Sequence, residues 1–289
     1  MSHIKRATGI AAIFIAIWSF LPIYWLLVLA FEPGYGRVDV PPNLFPIHPT
    51  LGNFRFVLSL FDPKVLATPS FGSEISFALI HSIVVATAVM VLTLILSIPA
   101  GYAFARFSFT FRTTLFFLLL FARFLPPVSL VIPFYQFYKS AELLGTYQGL
   151  IAAQLTLTVP LAVWVISGIF ASIPAELDKQ ARIDGCSRFR MLRSIIIPVA
   201  APGLIALAIV SWLTSWNELI FSLFLASIVD FFMIPPFLAF ASFGVSAPFL
   251  VFAFIPPIVA AFILQRYMTQ LRLISPPVLT TTYEVLSKQ

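Results

Sequence analysis

Few side chains along this sequence could do chemistry, so each can be weighed singly. His81 and Ser82 supply a base and a nucleophile, but helix neighbours point about 100° apart, which does not build a dyad. His3, His48 and His81 are too widely separated for a zinc motif. No G-x-x-x-x-G-K-[ST] phosphate loop occurs. No catalytic, metal or cofactor-binding residue is therefore assigned. Away from the ends of the apolar stretches the charged residues are Arg123 and Glu218, whereas an ion- or proton-coupled carrier uses several such groups as a relay. Glu218 reads two ways: Trp216-Asn217-Glu218 is a hydrogen-bonded knot that packs its helix, or the carboxyl lines a solute path. Arg123 either pairs with it or snorkels to an interface.

The densest polar chemistry lies in residues 173–198, IPAELDKQARIDGCSRFRMLRSIIIP. A charge at a bilayer centre costs several kcal/mol (about 3 on insertion scales), so this island must sit in water. Pro174 suits a first helical turn, and Glu176 and Asp178 then fall near the positive end of the helix dipole. Gly185 can take the left-handed conformation that stops a helix. The first helix is thus expected over 174–184, about 16 Å long at about 1.5 Å per residue. Ser187 can cap a second one carrying Arg188, Arg190 and Arg193, and Pro198 marks the next apolar run. A lipid-headgroup helix would favour Lys and Arg alone. Glu176, Asp178 and Asp184 mixed with Lys179 and Arg182 suit a protein groove instead.

The elements around the island must hold it at a membrane surface. The chain is 60% hydrophobic and only 10% charged, with 32 Phe, against about a quarter charged residues in soluble domains. The predicted class is an all-α polytopic membrane protein, a single transmembrane domain over 1–289. Six spans of about 20 apolar residues are expected, near 8–30, 77–104, 113–134, 148–171, 199–226 and 248–268. The run after Lys5-Arg6 is longer than a signal-peptide core and lacks a clear cleavage site, so it reads as a retained first helix. A Pro- and Gly-rich connection covers 32–74, a turn is expected over 230–247, and a tail follows Arg272. Pro99, Pro126, Pro127, Pro133, Pro160, Pro256 and Pro257 either kink their helices or break them along a solute path.

A net charge of +6 would suggest nucleic acid in a soluble protein, but here the basic residues flank apolar spans. On one side of the six-span arrangement fall 12 of the 17 basic residues (Lys5, Arg6, Arg106, Arg112, Lys179, Arg182, Arg188, Arg190, Arg193, Arg266, Arg272 and Lys288). On the other fall 4, Arg37, Arg55, Lys64 and Lys139, with Arg123 inside a span. The bias puts both termini and the island in the cytoplasm and 32–74 outside. The single cysteine, Cys186, excludes an intrachain disulfide.

Ala181, Asp184, Gly185 and Pro198 match the spacing of the coupling signature of membrane subunits of binding-protein-dependent ABC importers. Lys179 stands where that family usually has Glu, Gln180 where it has the first Ala, and Leu192 where it often has Phe. The resemblance extends along the chain. It takes in His81-Ser82, 99–107 (PAGYAFARF), Pro126-Pro127, Ile132-Pro133, 146–150 (TYQGL), Ile173-Pro174, 201–203 (APG), Trp216-Asn217-Glu218 and 265–267 (QRY). The pattern is most similar to the carbohydrate-uptake class, in particular the second permease of maltose-type or glycerol-phosphate-type systems. The tail 271–277 (LRLISPP) departs from the Gly-rich ending frequent there.

The resemblance implies a permease subunit in the cell membrane that performs no chemistry itself. Its partners would be a second permease, two cytoplasmic ATPase subunits that hold the ATP and Mg, an extracytoplasmic solute-binding protein and the bilayer. It implies ATPase coupling through Glu176, Asp178, Lys179, Ala181, Asp184, Gly185 and Pro198, with 173–198 as the coupling segment. Tyr135, Gln154, Thr156, Thr158, Trp164, Asn217 and Glu218 offer hydroxyls, amides, a carboxyl and aromatic faces to a sugar or oligosaccharide. Such residues also occur in any span interior or interfacial belt. An ion-coupled secondary carrier and an importer of a polyol or glycerol phosphate are the alternatives.

Overall fold

The structure, a computed structural model, describes residues 2–32, 44–59, 62, 71–226 and 243–272. Residues 33–43, 60–61 and 63–70 of the 32–74 connection, the residues 230–242 of the expected turn and the tail from 273 lie outside the described residues, as do Arg37, Lys64 and Lys288. The chain divides into two compact units, Met1–Ser82 with Ile228–Pro257, and Ile83–Ser227 with Ile258–Gln289.

In the first unit, α1 (Ser2–Phe31) is a nearly uniformly apolar helix whose side chains stand open from Ile13 to Tyr24, as suits contact with lipid. Its end is tied to α2 (Gly52–Ser59) by Asn53, whose Nδ2 donates to the carbonyls of Ala30 at 3.0 Å and Glu32 at 2.8 Å. Those are carbonyls that a helix end leaves without intrahelical partners. Phe54 packs on Phe31, ring centroids 4.9 Å apart, and on Phe252 at 6.1 Å.

The second unit is built on α3 (Phe71–Arg106), α6 (Tyr147–Ser172) and α9 (Ile197–Trp216), with α3 contributing its part from Ile83 onward. Single prolines, Pro99, Pro160 and Pro202, leave these helices continuous. Glycines let them approach closely, as small residues do between membrane helices. A Cβ at Gly101 would lie 2.6 Å from Ile166 Cγ2 and 3.2 Å from the backbone nitrogen of Ser167. At Gly203 it would meet Ile169 Cδ1 at 2.8 Å, the movable tip of a side chain. Gly101→Ala should therefore lower the thermal unfolding midpoint of the detergent-solubilised protein, at a cost of about 1–3 kcal/mol. Gly203→Ala should cost less, and Gly168→Ala, where a Cβ meets nothing within 4 Å, should report propensity alone. Equal midpoints for the Gly101 and Gly168 variants would contradict this account of the helix crossing.

The expected third span departs most from a simple helix. Residues 113–134 do not form one straight segment: α4 (Arg112–Phe124) and α5 (Pro127–Ser140) meet at 94°. Two consecutive prolines explain the break. A residue before proline is driven out of the helical region, and here Leu125 and Pro126 are both extended, with ψ of 123° and 132°. The tail end of the expected fifth span is also interrupted, with α9 stopping at Trp216 and α10 occupying Ile220–Leu225. α11 covers Phe243–Arg272. Among the described residues four helical segments are long and apolar enough to cross a membrane, five if the bent pair counts as one span. Phe249–Ile263 is a shorter apolar stretch within α11.

Candidate functional site

The island folds as two short helices standing on the core of the second unit. α7 (Ala175–Ile183) and α8 (Arg188–Met191) lie within the bounds expected from Pro174, Gly185 and Ser187. A Schellman motif closes α7: the Gly185 N–H donates to the Arg182 carbonyl at 3.1 Å, and the Cys186 N–H to the Ala181 carbonyl at 2.9 Å. Gly185 takes the left-handed conformation this requires, with φ of 76°. The Ser187 side chain then accepts from the Arg190 N–H at 3.3 Å and caps α8. Leu192–Ile196 follows as one wide π-type turn leading into α9. Pro198 accounts for it: lacking an N–H and clashing with the carbonyl of residue 194, it forces the preceding turn to open.

Leu177, Ala181, Met191 and Leu192 turn inward and join the core made by Tyr102, Ile166, Phe170 and Ile196. Leu177 and Ala181 are four residues apart, the spacing of one helix face. On the outer side Glu176, Lys179, Asp184 and Gly185 are exposed. Two large apolar side chains join them, Ile183 at 85% and Phe189 at 73% exposure. The sequence reading missed both. Their signal was phase: Ile183 falls off the stripe of Leu177 and Ala181, on the polar side.

Asp178 does not share that outer surface. It turns back to Arg106 at the end of α3, Nε to Oδ2 3.0 Å, with side chains only 11% and 16% exposed. Arg106 Nη2 also donates to the Ile173 carbonyl at 2.8 Å. Beside it the Arg188 guanidinium carbon lies 4.7 Å above the Phe107 ring, a cation–π contact.

The candidate solute-path residues separate into two groups. Tyr135, Trp164 and Asn217 are exposed, whereas Gln154, Thr158 and Glu218 are buried between helices. Glu218, 7% exposed, sits in the break between α9 and α10. Its Oε1 accepts from the Phe221 N–H at 2.8 Å, and its Oε2 from the Ser222 N–H at 3.0 Å. Gln154 Nε2 donates to Oε2 at 3.4 Å, while Gln154 Oε1 accepts from the Ser215 hydroxyl. Thr158 Oγ1 lies 2.7 Å from Thr93 Oγ1. Arg123 is exposed near the end of α4 and is not the partner of Glu218.

At the start of α6, Thr146 caps the helix by accepting from Gly149 N–H at 3.1 Å. A Cβ at Gly149 would lie 2.3 Å from the Leu143 carbonyl oxygen, which is why 146–150 (TYQGL) has glycine there. The Gly145 N–H donates to the Leu225 carbonyl at 2.9 Å, joining this loop to α10.

Comparison with known proteins bears on the same residues. Residues 97–274 match the profile of the family described as binding-protein-dependent transport system inner membrane component. The chain is 31% identical over 225 residues to the trehalose transport system permease protein SugB of Mycobacterium tuberculosis, covering 77% of each. It is 33% identical over 214 residues to the trehalose/maltose transport system permease protein MalG of Thermococcus litoralis, covering 74% of this chain and 73% of the relative. A chain from the crystal structure of a bacterial ABC transporter involved in the import of the acidic polysaccharide alginate superposes with a TM-score of 0.71 at 19% identity. That match covers 92% of this chain and 96% of the other, and at such identity it speaks for the fold alone.

Proposed function

The chain belongs to the family of binding-protein-dependent transport system inner membrane components, and from that premise we propose that it passes a sugar or oligosaccharide across the membrane as one permease of an ATP-driven importer. The solute class is supported by two relatives, one a permease of a trehalose transport system and one of a trehalose/maltose transport system.

The observation that carries the coupling mechanism is the rigid, polar-and-apolar tip around Gly185. A short helix closed by a Schellman motif, seated by Leu177 and Ala181, presents Ile183 and Phe189 among exposed charges. Exposed apolar anchors amid charges suit a groove on a protein better than headgroups alone. In this reading Glu176, Lys179, Asp184, Ile183 and Phe189 meet an ATPase subunit. Ala181 seats the helix, Gly185 shapes its end, Pro198 sets the angle at which α9 leaves, and Asp178 holds the segment from within. Closure of the ATPase moves the segment as a rigid body between two states.

Six spans place both termini and the coupling segment in the cytoplasm. The ATP and Mg belong to two ATPase subunits, and a second permease completes the pathway to which an external binding protein delivers solute. The apolar faces of α1 and α4 are left for lipid or that second permease. Along the path, Tyr135, Trp164 and Asn217 offer exposed contacts. Gln154, Thr158 and Glu218 act on it through the packing of α6 against α9 and α10.

The test is uptake by liposomes holding the complete assembly, with radiolabelled trehalose and maltose as probes. Solute copurifying with the binding protein is identified by mass spectrometry. Uptake should require ATP on the ATPase side and binding protein on the other. Accumulation driven by an ion gradient with this chain alone would overturn the importer reading, and a copurifying polyol or glycerol phosphate would overturn only the solute class.

A further inference from the structure

The coupling segment has two covalent neighbours, α6 before it and α9 after it, through which motion of its tip must pass. Geometry at the end of α3 adds a third connection. Arg106 stands in the last turn of α3 and reaches both sides of the joint between α6 and α7: Nη2 holds the Ile173 carbonyl at 2.8 Å, and Nε faces Asp178 Oδ2 at 3.0 Å. One residue on, Phe107 lies beneath the Arg188 guanidinium of α8, 4.7 Å from its carbon. Tyr102, one turn back, packs edge-on against Phe107 and Phe170, with centroids 5.7 Å and 6.1 Å apart. The end of α3 is thus gripped by α6, α7 and α8 together.

Several features make this more than a surface ion pair. Exposed pairs contribute little because water screens them and long side chains must be immobilised. Arg106 and Asp178 are mostly withdrawn from water, where the same attraction is stronger and a lone partner is costly. The guanidinium also meets two groups at once, hydrogen-bonding a main-chain carbonyl through Nη2 while Nε lies in ion-pair contact with a carboxylate, a pairing that the single ammonium of a lysine copies poorly. Asp178 sits on α7 but faces inward, so its charge is spent on α3 and not on the outer surface.

We propose that Arg106 is a positioning residue that clamps α3 to the coupling segment, so that the ATPase drives three spans, α3, α6 and α9, as one body. The proposal rests on the reading that residues 173–198 dock on an ATPase subunit. Without the clamp α7 still docks, but it turns against α3 instead of carrying it. Arg106→Gln and Asp178→Asn then leave ATP hydrolysis running while its stimulation by the binding protein falls.

The experiment uses the complete assembly in lipid nanodiscs, with spin labels at Thr110, just past α3, and Ala175, at the start of α7. Both positions are exposed, and Cys186→Ser removes the native thiol. In the otherwise native protein the label distance should be the same without nucleotide and with ATP plus vanadate. In Arg106→Gln it should shift by about 2 Å or more on trapping, the scale of helix displacements in such switches. In unlabelled assemblies, stimulation of ATP hydrolysis by the binding protein should fall about fivefold or more in each single variant, the lower range of coupling between sites. The exchanged pair, Arg106→Asp with Asp178→Arg, should recover part of it, which a general loss of stability would not allow.

Identical distances in both states of Arg106→Gln, with native stimulation, would overturn the clamp while docking stands, provided Gly185→Val still uncouples the assembly. Native coupling in Gly185→Val would overturn docking and the clamp with it.

Discussion

Gly185→Val should leave the assembly intact and reduce solute uptake at least tenfold while ATP hydrolysis continues. The turn needs φ of 76°, and a Cβ there meets nothing within 4 Å, so the damage is confined to backbone conformation. A left-handed residue other than glycine costs about 1–2 kcal/mol, and a β-branched one is worse still. About 1.4 kcal/mol corresponds to a factor of ten in an equilibrium. The Schellman bonds from Gly185 to Arg182 and from Cys186 to Ala181 depend on that conformation, so valine displaces Asp184 and the residues leading to Phe189. Asn populates the left-handed region more readily than other residues with a Cβ, so Gly185→Asn should retain most uptake and Gly185→Ala an intermediate level. The check is uptake per ATP hydrolysed across this series. Equal ratios for asparagine and valine would show that turn geometry is irrelevant to coupling.

Glu218→Leu should remove the protein from the assembled complex altogether. The carboxyl satisfies the N–H groups of Phe221 and Ser222 at the start of α10 and receives the Gln154 amide from α6. Leucine leaves the two backbone donors without an acceptor, at about 1–3 kcal/mol each, and leaves the Gln154 amide only the Ser222 hydroxyl at 3.4 Å. Their sum reaches the lower end of the net stability of an ordinary domain, about 5 kcal/mol. Glu218→Gln keeps one carbonyl acceptor and should cost about 1–3 kcal/mol, visible as a lower unfolding midpoint with assembly preserved. Size-exclusion chromatography and thermal unfolding of the solubilised complex distinguish these outcomes. A Glu218→Leu complex of native size and midpoint would refute the knot and return the residue to the solute path.

The two effects differ in kind because the two residues are held differently. Gly185 sits at an exposed tip where nothing packs on it, so a change there alters what the tip does and not whether the molecule stands. Glu218 is enclosed by two helices and by the backbone of its own chain, so its loss is paid in stability.

Much of this was legible from residues alone, and the reason is locality. Apolar runs mark spans because lipid demands length and internally satisfied backbone. Pro174, Gly185, Ser187 and Pro198 delimit α7, α8 and α9 because a missing N–H, a left-handed φ or a capping hydroxyl acts within a few residues. Sequence left Pro126-Pro127 open between a kink and a break, although the preference of a residue before proline, applied twice, leaves the helix no way through.

Contacts between distant helices were beyond local rules. Arg106 meets Ile173 across 67 positions, and Gln154 meets Glu218 across 64. Asp178 looked like one more charge of an outward-facing helix until α3 was found beneath it, and Arg123 was left open between pairing with Glu218 and reaching an interface. Sequence by itself thus determined that the chain is an all-helical protein with several apolar spans, where the island's helices begin and end, and which family the chain joins. Tertiary structure alone decided which charges face inward and which apolar residues face out, because burial is a property of what packs alongside, and no residue carries that information by itself.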